Sequence, residues 1–375
     1  MVNPFSRKGR YGSLSTVVMA MVIMSAPFMI PATESIDEEG EDIENLTEAI
    51  NLLGTEHTPV SYKVGSSTPQ FVLFSFDGSK SLSMLEETLQ FADEMDKAGK
   101  PLRFTYYINA AYFLTEQNAA IYKPPHREAG SSNIGYSNKS EDIAERVKAF
   151  NRALKKGHEI GSHAVGHFNG QHWSDRKWRE EFNSFKSLLY NVQANNNTVK
   201  IDQAEFLQEI SGFRAPDLGV NEELYGTLKD FGFRYDTSGI GSMEEWPKKD
   251  ILGIWHVPIG VMFMGPRRVP VLSMDYSIWI VHGGGRDNAV RGSELWDKYF
   301  KETKDAFVDY FHSNYNGSRA PVVIANHFTK MNDGVYWDAM KAAAEEVCGL
   351  PNVRCTTFKT FIDYLDKYGV PERSE

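Results

Sequence analysis

The sequence predicts an α/β fold, specifically a distorted, incomplete (β/α) barrel of the kind that carries its chemistry on strand ends. Short apolar segments of strand length alternate with amphipathic helical segments from about residue 71 onward. Several of these segments end in a polar residue, as barrel strands do at their carboxyl ends. No repeat of fixed period is present, which argues against a solenoid or a propeller. A chain of 375 residues with 41% hydrophobic content is long enough to bury a large core.

The N-terminal segment, residues 1–33, is predicted to be a signal peptide. Basic residues at positions 7, 8 and 10 precede an uncharged, apolar-rich run over 14–30, and cleavage near Ala26 or Ala32 fits this pattern. An uncleaved anchor is the alternative, but the run is slightly short for a membrane span and contains Pro27. We therefore expect a secreted or periplasmic protein whose mature chain does not insert into a membrane.

Residues 34–69 are predicted to be an acidic and polar linker, and residues 70–375 a single catalytic domain. Export would also explain the cysteine content. Cys348 and Cys355, the only two, bracket a short loop that a disulfide could close. Two unpaired thiols are the alternative.

The net charge of −10 and the pI near 5.6 argue against nucleic acid or an anionic membrane surface as a partner, since both usually require a basic face. A neutral or weakly charged ligand is easier to accommodate.

The predicted elements follow one another in a regular order. Helix boundaries are set by signals such as Ser81 before the first helix and Gly99 after it, and strands by runs of β-branched and aromatic residues. A stretch rich in Pro, Gly, Ser and Asn over 115–138 is predicted to be a long insertion near a binding site. The predicted strands are 71–77, 102–109, 158–163, 209–216, 233–238, 255–261, 269–275 and 320–327. The predicted helices are 81–98, 140–156, 174–190, 221–231, 292–312, 337–347 and 357–368.

Clusters of polar residues lie at four of these strand ends, and one of them contains a candidate pair of metal ligands. His163 and His167 are spaced four apart, and on a helical turn this spacing would place both imidazoles on one face for one metal. Asp77, Arg214 and His327 each end or follow another predicted strand. A histidine pair with this spacing often occurs without a metal, so the ordered set of four clusters carries the prediction. His158, by contrast, is predicted to be a hydrogen-bonded core or rim histidine.

These clusters resemble the motifs of the carbohydrate esterase family 4 polysaccharide deacetylases, which include chitin and peptidoglycan deacetylases. The sequence SFDG is similar to the family's first motif, SHAVGH to its metal motif, FRAPD to its arginine motif and ANHF to its last histidine motif, in the right order. The likeness runs from about residue 71 to residue 368. It implies the same incomplete barrel and a divalent metal, most readily zinc, with cobalt, manganese or nickel as alternatives.

The resemblance also implies roles for individual residues. His163 and His167 would be metal ligands, and Asp77 the general base. The family has a second aspartate as third ligand where this chain has Gly78, so Asp77 is an alternative third ligand, and water or another carboxylate could also fill that position. Arg214 would pair with Asp77 and keep it ionised.

His327 would be the general acid that protonates the leaving amine. Asp236 and Asp275 each end a predicted strand, so either could orient His327, although capping roles are equally consistent with the sequence.

Candidate substrate-binding residues are Pro216, Trp173, Trp279 and Asp275. The tryptophans could stack on sugar rings or belong to the core.

The resulting prediction is an exported, metal-dependent deacetylase of a polysaccharide that contains N-acetylglucosamine, similar to peptidoglycan or chitin. Two alternatives remain at this point. One is a non-catalytic carbohydrate-binding protein on the same fold, which the Gly78 departure favours. The other is an acetyl esterase that acts on another acetylated glycan.

Overall fold

The computed structural model describes Ile50, residues 61–65 and residues 67–374. The predicted signal peptide and most of the predicted linker lie outside these residues. The end of the predicted linker contacts the rest of the chain, because Tyr62 forms an antiparallel bridge with Arg373. Among the described residues, every helix is too short or too polar to cross a bilayer.

The strands are short, and most of them end where the sequence places a polar residue. They are β1 (Gln70–Asp77), β2 (Thr105–Ile108), β3 (Glu159–Ser162), β4 (Gly212–Phe213), β5 (Tyr235–Asp236), β6 (Ile240–Ser242), β7 (Lys248–Lys249), β8 (Trp255–His256), β9 (Ile259–Met264), β10 (Val269–Leu272), β11 (Val322–His327) and β12 (Val353–Cys355).

The helices follow the predicted pattern closely. They are α1 (Leu82–Lys97), α2 (Ser140–Lys155), α3 (Asp175–Tyr190), α4 (Val192–Asn195), α5 (Glu222–Asp230), α6 (Asp275–Gly283), α7 (Glu294–Asn316), α8 (Met331–Val347) and α9 (Phe358–Tyr368). The Ser81 side chain accepts a hydrogen bond from the backbone N–H of Met84, so the predicted start signal of α1 works as an N-cap.

The main sheet curls in the order β11-β1-β2-β3-β4-β5-β8-β7, with β12 beside the first residues of β1. All neighbours in this sheet are parallel except β7, which is antiparallel to β8. Strands β6, β9 and β10 form a separate small sheet. Because β11 and β7 are the two ends of the curled sheet, the fold is the predicted incomplete barrel. The parallel order brings the carboxyl ends of the strands to one rim.

Two apolar clusters fill the part of the chain that the structure describes. The larger one lies between the outer face of the sheet and the helices, and includes Phe74 and Phe76 of β1 with Leu85 and Leu89 of α1. The smaller one fills the barrel interior, where Phe71 of β1 contacts helix α9. Alternate residues of β1 therefore pack on opposite faces, as expected for a strand covered on both sides.

The barrel interior also contains a buried polar layer, which is unusual for a core. Tyr235 donates a hydrogen bond to Glu159 Oε1 at 2.8 Å, and its hydroxyl lies 3.0 Å from that of Tyr107. Thr105 and the backbone N–H of Lys359 donate to Glu159 Oε2 at 2.9 and 2.8 Å. Burial raises the pKa of Glu159, and these donors oppose that rise. The layer ties the start of α9 to the barrel wall.

Three parts of the predicted pattern were wrong. The predicted strand 255–261 is divided between β8 of the main sheet and β9 of the small sheet. The sequence predicted a barrel strand over 269–275, but Val269–Leu272 pairs with β9 in the small sheet, because the antiparallel hairpin satisfies its backbone. The residues from Asp275 onward form helix α6, which the sequence analysis did not predict because this segment is apolar on several sides. The predicted disulfide is present and joins Cys348 to Cys355.

The close packing beside the polar layer can be tested by adding one methyl group at Gly212. A Cβ at Gly212 would lie 2.0 Å from the ring of Tyr235, so we expect Gly212→Ala to lower the free energy of unfolding by roughly 1–3 kcal/mol through overpacking. Urea denaturation of the two proteins measures this difference.

The matched control is Gly226→Ala in helix α5, where an added Cβ meets nothing within 4 Å. We expect this control to be neutral or to stabilise the protein by up to about 1 kcal/mol, because alanine is the better helix former. Equal stability of Gly212→Ala and the wild type would contradict this description of the barrel interior.

Candidate active site

A buried ion pair lies at the carboxyl end of the curled sheet. Arg214 follows β4, and its Nη1 donates to Asp77 Oδ1 at 2.8 Å and to Ser75 Oγ at 3.0 Å. The side chains of Arg214 and Asp77 are only 0% and 3% exposed. The guanidinium also lies over the ring of Tyr107, 4.5 Å from its centroid. The sequence-predicted pair is therefore formed, and it spans the barrel interior from β1 to the end of β4.

The charge of this pair controls the ionisation of Asp77. Burial alone would raise the pKa of Asp77, but the charge of Arg214, the charge of His327 and the hydrogen bond from Arg214 outweigh it and lower the pKa below its ordinary value. Asp77 is thus a carboxylate at neutral pH.

His327 lies next to Asp77, since the two residues are partners in the parallel register of β1 and β11. Asp275, the first residue of α6, accepts a hydrogen bond from His327 Nδ1 at 2.7 Å and another from its backbone N–H at 2.8 Å. Because Nδ1 of His327 is hydrogen-bonded to Asp275, Nε2 is the ring nitrogen that can contact a ligand. The His327 side chain is 33% exposed, so it can reach a molecule in the cleft.

The environment of His327 favours its charged form. Burial alone would lower the pKa of His327, but the charge of Asp275, the hydrogen bond to Asp275 and the charge of Asp77 raise it to about 9. Asp77 and His327 therefore form a neighbouring base and acid, one ionised and the other protonated.

His163 and His167 come together at the same rim, with ring centroids 5.0 Å apart. The predicted helical turn between them was wrong: His163 follows β3, and residues 163–167 form a loop with left-handed backbone at Ala164 and His167. The two rings are close although the segment is not helical, because the chain reverses in this loop and brings the ring of His167 back to that of His163.

The protonation state of His163 is fixed by its surroundings. Its Nδ1 lies 2.7 Å from the backbone carbonyl of Arg214, which can only accept, so Nδ1 carries the hydrogen and Nε2 a lone pair. Burial lowers the pKa of His163 to about 3, which keeps the ring neutral. A neutral imidazole with one nitrogen anchored is the form that ligates metals.

Glu181 of α3 holds the loop between the two histidines. Its Oε1 accepts from the backbone N–H of Val165 at 2.8 Å, and its Oε2 accepts from the hydroxyl of Tyr122 at 2.7 Å. Burial raises the pKa of Glu181 to about 7, against these hydrogen bonds. The predicted insertion, to which Tyr122 belongs, also reaches the loop, because Asn133 donates to the carbonyl of His167 at 2.8 Å.

The two imidazoles of His163 and His167 are of the ligand type that divalent cations such as zinc bind, but two ligands alone do not make a zinc site. Asp77 is engaged by Arg214, which makes it a poor third ligand. Gly78 has a φ of 81° and open space around an added Cβ, so no side chain reaches the cleft from that position. As the side chains are placed, no three metal-ligating residues among 61–65 and 67–374 converge on one point.

The other predicted site residues lie in different surroundings. Trp173 is a correction: it is 9% exposed and packs against Trp178, with ring centroids 4.8 Å apart, so it belongs to the core and offers no platform to a sugar. The prediction that Asp275 could orient His327 is confirmed, because Asp275 accepts hydrogen bonds from its ring and its backbone; its assignment to substrate binding is a second correction, because the carboxylate is buried behind that ring. Trp279 stays at the rim, 5.5 Å from Tyr276, while Pro216 is buried in the turn after Arg214.

Two further predictions concern Asp236 and His158. Asp236 does not orient His327, because it accepts from Ser238 at 2.5 Å and lies 3.8 Å from His256 Nδ1. His158 is a satisfied core histidine, as predicted: its Nδ1 accepts from the backbone N–H of Phe104 at 3.0 Å, and burial lowers its pKa to about 3.

Several residues that shape this site were not predicted from the sequence. Glu181 had a readable signal, because it lies three residues after Trp178 and one before Phe182, on the buried face of α3. Glu159 and Tyr235 had no signal that a single sequence provides, because their partners are distant along the chain.

No protein-family model matches this chain, and no curated protein matches it. Solved structures do. A Mycobacterium smegmatis protein assigned as a polysaccharide deacetylase aligns with a TM-score of 0.51 at 16% identity, covering 85% of this chain and 98% of that one. The allantoinase PuuE aligns with a TM-score of 0.47 at 14% identity, and the alignment covers 84% of this chain and 97% of that one. A family 4 carbohydrate esterase from Streptomyces lividans aligns with a TM-score of 0.38 at 13% identity, covering 74% of this chain and 91% of that one. The chain therefore has a polysaccharide deacetylase-like fold, as the sequence motifs led us to expect.

The contact between Asp275 and His327 can be tested by titration. We expect the pKa of His327 to fall by about 1 unit or more in Asp275→Asn, because an adjacent opposite charge typically shifts a pKa by about 1–3 units. NMR of the histidine side-chain nitrogens as a function of pH measures the pKa in the wild type, expected at about 9, and in the variant.

The control is Asp236→Asn, which removes a buried carboxylate that faces His256. This control should move the titration of His256 and leave that of His327 in place. A wild-type His327 that titrates near its ordinary pKa would show that Asp275 does not hold its charge.

Proposed function

We propose that this chain, with its polysaccharide deacetylase-like fold, is an exported, metal-dependent hydrolase that removes N-acetyl groups from a polysaccharide containing N-acetylglucosamine. The observation that carries this proposal is the convergence at one rim of an ionised Asp77 held by Arg214, a protonated His327 held by Asp275, and a neutral histidine pair. Amide hydrolysis needs a base, an acid and an electrophile within one small volume, and these groups match those needs.

A cation held by His163 and His167, zinc or alternatively cobalt, manganese or nickel, would supply Lewis-acid chemistry to the acetyl carbonyl. Asp77 would accept the proton of the attacking water. Its lowered pKa makes it a weak base, but it keeps the carboxylate available at neutral pH. Arg214 would hold this carboxylate in one orientation through the 2.8 Å hydrogen bond.

His327 would donate a proton to the leaving amine. The hydrogen bond from Nδ1 to Asp275 leaves Nε2 as the donor, and a pKa of about 9 keeps the ring protonated at neutral pH. The N–H groups of Leu218 and Gly219 donate within the turn that begins at Pro216, so the backbone N–H of Asp217 is the candidate there for binding the negative charge that develops on the acetyl oxygen.

The surroundings of the site support a sugar substrate. Tyr276 and Trp279 lie on α6, directly after Asp275, and Tyr276 is 48% exposed with its ring centroid 6.4 Å from that of His327. Exposed aromatic faces beside an acid–base pair suit the apolar faces of sugar rings. The net charge of −10 favours an uncharged glycan over nucleic acid.

Export is supported by the predicted signal peptide over 1–33 and by the disulfide between Cys348 and Cys355, since disulfides persist in oxidising compartments. A secreted or periplasmic location would give the protein access to cell-wall or extracellular polysaccharide.

Two other functions remain as alternatives with their own support. A non-catalytic carbohydrate-binding protein is favoured by Gly78, because the position leaves the histidine pair without the acid that the resembled family has there. An acetyl esterase would use the same attack on an ester carbonyl, and its leaving alcohol needs less help from His327 than an amine does.

Acetate release decides among these functions. We expect the protein loaded with zinc to release acetate from N-acetylglucosamine oligomers, and we expect a chelator to abolish this activity. Asp77→Asn and His327→Gln should each lower kcat by about 10²–10⁴-fold, the usual contribution of one general acid or base.

The matched control is Asp309→Asn, which removes an exposed carboxylate from the outer helix α7 and should leave the rate unchanged. Glycan binding without acetate release would identify the binding protein, and release from acetylated xylan alone would identify the esterase. Activity that survives Asp77→Asn would overturn the assignment of the base.

The pH profile should report the charge of His327. Since its pKa is raised to about 9, the ring is protonated below that pH and loses its proton above it, so kcat/KM should fall as the pH rises through about 9. The fall should begin at lower pH in Asp275→Asn. A profile that falls only below pH 7, or that Asp275→Asn leaves in place, would rule out His327 as the acid.

A further inference from the structure

Helix α6 exposes an apolar face beside the acid–base pair. The exposed residues of this helix are Tyr276, Ile280 and Val281, whose exposed fractions are 48%, 45% and 42%. Because they are one and four positions apart, they form one continuous stripe, which we call the α6 face. Every other described helix of eight or more residues exposes at least one charged side chain, so the uncharged α6 face is an exception within the part of the chain that the structure describes.

The opposite side of α6 is firmly held, so the exposed face does not result from loose packing. At the start of the helix, Asp275 accepts hydrogen bonds from the ring and the backbone of His327. In the middle, Ile278 is completely buried. Near the end, the ring of His282 stacks on that of Tyr299 in α7, with ring centroids 4.0 Å apart. The α6 face is therefore presented to solvent by a helix that is fixed along its length.

The α6 face continues directly from the acid–base pair. The ring of Tyr276 lies 6.4 Å from that of His327, whose Nε2 can contact a ligand. Since a helix rises about 1.5 Å per residue, Ile280 and Val281 lie about 6–8 Å further along the helix axis. A ligand that contacts His327 and extends along α6 therefore meets an aromatic ring first and branched aliphatic side chains next.

This order of side chains indicates the chemistry of the ligand. An aromatic ring suits the apolar face of a sugar. Branched aliphatic side chains offer no hydrogen-bond partner to a sugar hydroxyl, whereas covering them with an alkyl chain removes apolar surface from water. An uncharged face also fits an uncharged chain better than it fits an ionic group. The α6 face therefore matches a saccharide that carries an alkyl or acyl chain.

A second copy of the chain and a separate protein are the other occupants that an exposed apolar face commonly has. The position of the α6 face argues against both. A macromolecule that lies on Tyr276 would also cover the exposed part of the neighbouring His327, and it would close the cleft to the substrate. The apolar part of the substrate itself is the occupant that leaves the acid usable.

We propose that the substrate is a lipid-linked saccharide, whose alkyl or acyl chain lies on the α6 face while its N-acetylated sugar contacts His327. The inference rests on the proposed function, because it takes His327 as the acid that acts on that sugar. It narrows the substrate class from polysaccharides in general to saccharides that carry such a chain.

Two glycosides that differ only in the alkyl group test the proposal. The protein is titrated calorimetrically with the methyl and the octyl β-glycoside of N,N′-diacetylchitobiose, each at concentrations at which it is monomeric. We expect the octyl glycoside to bind about 10-fold more tightly or better, because burying a few methylene groups gives a factor of this size. The double variant Ile280→Gln/Val281→Gln should bind the two glycosides within about 2-fold of each other, since the apolar contact is lost. Glutamine suits the substitution because it is a good helix former.

The matched control is Ile251→Gln, which replaces a fully exposed isoleucine in the turn between β7 and β8. This control should keep the whole preference for the octyl glycoside. Octyl β-glucoside is a second control, because it has the alkyl chain but no acetylated sugar. We expect it to bind at least about 10-fold more weakly than the octyl glycoside of diacetylchitobiose.

Equal affinities of the wild type for the methyl and octyl glycosides overturn the proposal, and this comparison needs no variant. A preference that the double variant keeps overturns it as well. Octyl β-glucoside binding as tightly as the acetylated octyl glycoside would make the α6 face a general lipid contact. A dimer that light scattering detects and the double variant dissociates would assign the face to a second copy. Each of these last two results also contradicts the proposal.

Calorimetry requires no turnover, so the test is separable from the proposed function. If the octyl preference depends on the α6 face while no glycan yields acetate, the lipid-linked ligand stands and the deacetylase proposal fails. If acetate is released from the methyl and octyl glycosides with equal kcat/KM and equal affinity, the deacetylase stands and the lipid-linked substrate is wrong.

Discussion

The buried ion pair between Arg214 and Asp77 is the constraint on which the rest of the site depends. A guanidinium that is 0% exposed must replace its lost hydration, and here it does so with Asp77, Ser75, the carbonyl of Thr237 and the face of Tyr107. Removing one partner of such a pair typically costs about 3–5 kcal/mol, because the other charge is left buried and unpaired. The pair also joins β1 to the end of β4 across two intervening strands, which only a curled sheet allows.

The polar layer of Glu159, Tyr235 and Tyr107 lies next to this ion pair, and its close packing explains why glycines occur in the adjacent strands. An added Cβ at Gly161 would lie 2.6 Å from the ring of Tyr107, so glycine lets that ring lie flat under Arg214. Glu159 and Tyr235 fix the hydroxyl end of the same ring. A continuous set of contacts therefore runs from the start of α9, through this polar layer, to the rim that carries Asp77. The position of Asp77 depends on the packing of the barrel interior as much as on its own strand.

Local sequence patterns were enough to predict the architecture and the candidate site residues. They were not enough to predict which of these side chains contact one another. The apolar run ending in Asp77, the ordered motifs around His163, Arg214 and His327, and the spacing of the two cysteines all depend on residues close in the chain. The role of Glu181 depends on folding that brings helix α3 against the loop after β3, which periodicity does not encode. Helix α6 was missed because it is apolar on several sides. Trp173 was misassigned because nearness to a motif in sequence says little about which way a side chain packs.

The central claim is that the folded protein holds a charged pair in the cleft, an ionised Asp77 and a protonated His327, which the partners Arg214 and Asp275 maintain. Neutron diffraction from crystals exchanged into D₂O at pH 7 observes both protonation states at once. The account predicts no deuterium on either oxygen of Asp77 and deuterium on both ring nitrogens of His327. A deuterium on Asp77, or a His327 ring with only one, would contradict it.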